Sequence, residues 1–71
     1  MLHQVRRQEI DELVINLING INGLGLSCEE IARRVDCSAR VVYRWKAGEV
    51  HPSLWHWVRL EELADRLVGP H

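Results

Sequence analysis

Two helix-start signals flanking one sharp turn occupy the stretch Leu26 to Gly48, read as L-S-C-E-E-I-A-R-R-V-D-C-S-A-R-V-V-Y-R-W-K-A-G, and they leave few folds open. Ser27 followed three residues later by Glu30 is a capping box, in which the serine oxygen accepts from a free first-turn amide and the glutamate reaches back to the serine amide. Leu26 and Ile31 occupy the positions of a hydrophobic staple around that cap. Ser38 offers a second N-cap, with Cys37 and Val42 in the staple positions. Asp36 must then turn the chain, and aspartate tolerates a left-handed backbone better than most non-glycine residues. The pattern predicts a helix, a tight turn and a helix.

Apolar positions recur at helical spacing as Ile31, Ala32 and Val35 in the first element and as Val42 and Trp45 in the second, which assigns the buried faces. Ala39, Arg40, Tyr43 and Arg44 remain outward on the second helix. Arginine can donate twice to guanine O6 and N7, an alanine methyl can touch a thymine methyl, and tyrosine can reach a phosphate or a base edge. These four are the candidate base contacts.

The run Leu26 to Ala32, continued by Ser38, Val42, Arg44-Trp45, Gly48 and Pro52-Ser53, resembles the helix-turn-helix of the Cro/CI-type (XRE-like) family of phage and bacterial repressors. The resemblance covers roughly the middle third of the chain directly. It implies a lambda-repressor-like domain whose second helix enters the major groove while the first crosses the backbone. By that resemblance Ala39, Arg40, Tyr43 and Arg44 fall on base-reading positions. Cys28 falls where the family usually has a phosphate-binding glutamine, for which cysteine is a poor hydrogen-bonding substitute. Asp36 replaces a common glycine. Arg33, Arg34, Lys46 and His51 complete the expected phosphate contacts.

At 71 residues the chain suffices for one domain, 1–71, near the lower limit for a core without staples. It has no phenylalanine, so three tryptophans carry most of the aromatic volume. The net charge of −1 is not that of a non-specific nucleic-acid binder. The distribution is more informative: Arg33, Arg34, Arg40, Arg44 and Lys46 cluster in the centre, whereas Glu9, Asp11, Glu12, Glu61, Glu62 and Asp65 lie towards the ends. Acidic flanks would repel phosphate except in one docking orientation. With no apolar run long enough for a signal peptide or membrane span, the expected location is the cytoplasm.

Ile10, Leu13, Val14, Leu17, Ile18 and Ile21 predict a core helix from about Gln4 to Asn19. Arg6 and Arg7 at its start could meet phosphate or solvent. Asn19-Gly20, Asn22-Gly23 and Gly25 are expected to end that helix, with Leu24 and Leu26 anchoring the loop. After Gly48 comes a loop carrying Glu49 and His51, and Ser53 then caps a last helix running to about Leu67. That helix has more apolar positions than one stripe needs. Trp55, with parts of Leu60, Leu63 and Leu67, is the expected homodimer surface, since helix-turn-helix proteins commonly pair to read two half-sites.

No cofactor, small-molecule ligand or metal is expected. Cys28, Cys37, His51 and His56 follow a Cys-Cys-His-His order, but the cysteines stand too far apart for the usual structural zinc spacing. Neither a nucleotide loop nor an arranged nucleophile and base is present, so the chain is not expected to be an enzyme. The sequence predicts an all-α domain of four or five helices with a central helix-turn-helix. Its expected function is as a transcriptional regulator, a dimeric repressor reading an inverted repeat in double-stranded DNA through the helix 38–47. Alternatives are a DNA-docking accessory protein of packaging, transposition or excision, or a protein-interaction module that has lost DNA binding.

Overall fold

The computed structural model describes residues 7–69, with side chains from Glu9 onwards. They form four helices, α1 (Arg7–Gly23), α2 (Cys28–Val35), α3 (Ala39–Lys46) and α4 (Leu54–Val68), and no strand occurs among them. The expected all-α class with a central helix-turn-helix is what these residues adopt. Arg6 lies outside the described residues and so does the side chain of Arg7.

The local signals around α2 and α3 act as their chemistry dictates. Ser27 Oγ accepts from the Glu30 amide at 3.2 Å and the Ser27 amide donates to Glu30 Oε1 at 3.1 Å, closing the capping box. Asp36 takes φ 60 and ψ 59, and the Cys37 amide donates back to the Ala32 carbonyl at 3.0 Å, a Schellman closure of the α2 terminus. Ser38 Oγ accepts from the Val41 amide at 3.3 Å. The end of α3 repeats the closure: Gly48 stands at φ 77 and the Glu49 amide donates to the Arg44 carbonyl at 3.0 Å. Here glycine has a second reason to be glycine, because Ile15 Cδ1 lies 3.3 Å from where a Cβ on Gly48 would sit.

The first helix departs from expectation at its end. It continues through Asn19-Gly20 to Gly23, and the Leu24 amide still donates to the Gly20 carbonyl. Ile21 explains this, being fully buried beside Ile18. Burying such a side chain is worth about 1.5–3 kcal/mol, more than the roughly 1 kcal/mol that an interior glycine costs. Leu24 is exposed, so only Leu26 anchors the loop. Ile10 and Leu13 are also exposed, because the buried stripe of α1 runs through Val14, Ile18 and Ile21.

The core unites that stripe with Leu26, Cys28, Ile31, Ala32, Val35, Val42, Trp45, Leu60 and Leu63. Leu60 and Leu63 are therefore interior residues, and the expected dimer surface containing them is not available. Leu67 packs half-buried against the same core. The spacing 60, 63, 67 is one helical stripe, and it closes α4 on α1 and α2. What α4 leaves outside is a different set, Leu54, Trp55 and Val58 in its first turns and Val68 at its end. Of the tryptophans, Trp45 is core, Trp57 half-buried and Trp55 exposed. No helix among the described residues is long and apolar enough to cross a membrane.

Candidate nucleic-acid interface

The outward face of α3 is positioned by three things: the Ser38 cap, the Asp36 turn and the burial of Val42 and Trp45. With those two side chains fixed inward, Arg40, Tyr43 and Arg44 are exposed and Ala39 is half-buried against the core edge. Arg33 and Arg34 are exposed in the last turn of α2, where positive charge complements the helix dipole.

Several of these side chains already have partners inside the molecule. Tyr43 Oη donates to Glu29 Oε2 at 2.8 Å, tying α3 to the start of α2. Arg44 Nε donates to Glu49 Oε2 at 3.4 Å across the Gly48 bend. Lys46, half-buried, donates from Nζ to Asn22 Oδ1 at 2.8 Å and so ties α3 to α1. Arg40 has no hydrogen bond or ion pair to another described residue. The Glu29 carboxyl is held below its ordinary value, first by its own backbone amide at the α2 terminus and then by the Tyr43 hydroxyl. The same hydrogen bond pushes the Tyr43 hydroxyl up.

Two expected phosphate contacts stand elsewhere. Cys28 is buried at 4% exposure as part of the core, and its Sγ faces Asn22 Nδ2 at 3.9 Å. It opens α2 with its side chain turned under the helix, so its thiol is not presented to a phosphate. His51 pairs through Nε2 with Asp11 on α1, which holds the loop after α3 against the first helix and puts a carboxylate beside the ring. Both cysteines are free. No three His, Cys, Asp or Glu residues gather as a metal-binding group among the described residues.

Asn22, Glu29 and Glu49 are the residues that sequence reasoning passed over as partners of α3. Glu49 could have been suspected, since a carboxylate just past a helix-ending glycine folds back towards the last turn. Nothing local signals Glu29 or Asn22, which stand 14 and 24 positions from the side chains they hold.

Comparison with known proteins finds proteins named "Mycobacterial cidal antitoxin MbcA" from Mycobacterium bovis and from two strains of Mycobacterium tuberculosis. Each is 42% identical over 55 residues, which is 78% of this chain and 49% of the relative. The chain thus spans about half the length of the curated relatives it matches. No family model matches the chain, and no solved structure matches significantly. These findings overturn the expected membership in the Cro/CI-type repressor family: no family model supports it, and the relatives are named as antitoxins. The helix-turn-helix remains as observed geometry in α2, the Asp36 turn and α3.

Proposed function

We propose that this chain is the DNA-reading unit of an antitoxin-type transcriptional regulator, without enzymatic activity and acting in the cytoplasm. The observation that carries the reading is α3 itself. It is a short helix capped at its start, set by a left-handed turn and pinned inward by Trp45, so that Arg40 and Arg44 stand exposed on one side. In this reading α3 enters the major groove, Arg40 and Arg44 contact base edges, and Arg33 and Lys46 meet phosphates, while Arg34, expected there too, lines a hollow against α4 instead. Two copies on an inverted repeat would set their α3 helices roughly 34 Å apart. The name of the relatives supports the other half of the proposal, a protein partner of the toxin kind, held away from α3.

The partners already on α3 shape how it would bind. Arg44 would leave Glu49 and Tyr43 would leave Glu29 only where DNA supplies better acceptors, so the glutamates act as competitors that favour a matching site. Arg40 has no such exchange to make.

Selection from random duplexes at two salt concentrations tests the proposal. Enrichment of an inverted repeat is the expected result. Salt-sensitive binding without enrichment would indicate an accessory docking role, and no binding at low salt would leave a protein-interaction module. On the enriched site, Arg40→Ala should cost about 1–3 kcal/mol and relax base preference, whereas Lys46→Ala should weaken all duplexes alike and flatten the salt slope. Equal loss on specific and random DNA for Arg40→Ala would remove it from base reading.

A further inference from the structure

Two surface features of α4 meet at one residue. Leu54, Trp55 and Val58 are 78%, 49% and 46% exposed, and Val58 adjoins both of the others, four residues after Leu54 and three after Trp55, so that all three line one open groove. Beside them Arg59 Cζ lies 4.9 Å from the centroid of the Trp55 ring, a cation–π contact that holds the guanidinium at the edge of the apolar patch. Arg59 also lines a cavity of about 130 Å³ between α4 and the end of α2, together with Arg34, Glu62, Leu63 and Arg66. Its wall therefore brings three arginines to one carboxylate. None of the three forms an ion pair with a described residue. Gathering like charges in one hollow is unfavourable until counter-charge arrives, and here it happens in a chain whose net charge is −1.

We propose that this joint surface of α4 and α2 docks a protein partner through a segment that presents carboxylates beside apolar side chains. Arg34, Arg59 and Arg66 receive the carboxylates, with the bidentate geometry that guanidinium and carboxylate share. Leu54, Trp55 and Val58 bury the neighbouring apolar groups. The proposal rests on the partner half of the function proposed above and assigns it a surface. DNA fits less well, because a phosphodiester backbone gains nothing from the three apolar side chains that adjoin the arginines. A second copy of the chain fits less well too, since it would bring the same surplus of arginines.

Panning a displayed library of random peptides against the full chain tests this, with enriched peptides synthesised and titrated against variants. The expected peptides carry Asp or Glu interleaved with Leu, Ile or Trp. They should bind at least tenfold more weakly to Arg59→Glu/Arg66→Glu and equally well to Arg40→Ala/Arg44→Ala. If the double charge reversal lowers the melting temperature, the single Arg66→Gln, with at least twofold weakening, serves in its place. Peptides without acidic preference, unchanged affinity for the reversed variant, or no enrichment at all would overturn the proposal. So would loss of duplex binding in Arg59→Glu/Arg66→Glu as large as in Arg40→Ala/Arg44→Ala, because the arginines would then belong to DNA. Peptide binding in a chain that retains no duplex would instead leave this surface standing and remove only the DNA half of the function.

Discussion

Glu29 and Glu30 show how much one turn of backbone can ask of its side chains. Glu30 is held below its ordinary value, first by the Ser27 amide and then by the Ser27 hydroxyl, and Glu29 by its own amide and Tyr43. A carboxylate whose pKa is lowered by folding contributes stability that is fully present above its unfolded value and lost as pH falls through the folded one. Thermal melts should therefore show falling stability as pH drops through the lower carboxylate range. Glu30→Gln should flatten that dependence, and an unaltered pH profile would refute the role of the cap. Tyr43 has the opposite sign: its raised pKa contributes below the ordinary tyrosine range and is lost as pH rises through the folded value. Cys37 is raised too, chiefly by burial and then by the Asp36 charge, so its thiol stays protonated and slow to react at neutral pH. Both the capping box and the Asp36 turn were legible in the sequence, because each is decided within a few residues. The partners of Tyr43, Lys46 and His51 were not, because tertiary packing brings them from other elements.

At the scale of elements, α3 is too short to persist by itself, so its direction comes from what it buries. Trp45 is the larger of its two core side chains, 2% exposed and in tilted ring contact with His56 of α4 at 5.3 Å between centroids. Trp45→Ala should cost about 3–5 kcal/mol, a large part of what a domain of this size holds. Chemical denaturation would measure it, and an unchanged midpoint would refute the burial. Here the periodicity of Val42 and Trp45 sufficed. It did not suffice for α4, where apolar residues lie on more than one side and only the position of α1 and α2 decides that Leu60 and Leu63 are interior and Val58 is not. Cys28 was misplaced for a related reason: a residue carried over by resemblance brought a role that its burial denies. The α1 terminus shows the same precedence, with the burial of Ile21 overriding Gly20.

For the molecule as a whole, two charged surfaces lie on different elements, the arginines of α3 on one and the Arg34, Arg59 and Arg66 hollow on the other. Their separate locations on the chain let each proposed partner be tested without removing the other. The overall architecture was readable from capping and periodicity, whereas the hollow was not, since Arg34 and Arg66 stand far apart in sequence and meet only through packing. Folding also joins α1 to the end of α3 at Ile15 and Gly48. Gly48→Ala should lose about 1–2 kcal/mol from its positive φ alone, and the new Cβ would stand 3.3 Å from Ile15 Cδ1, which must shift slightly to admit it. Adding Ile15→Val removes Cδ1 and should recover the cost of that shift in a double-mutant cycle, and strict additivity within about 0.3 kcal/mol would disprove the contact. Viewed across generations, positions 15 and 48 form one inherited unit: a lineage that acquires a β-carbon at 48 is expected to carry a shorter side chain at 15, and the two columns should covary.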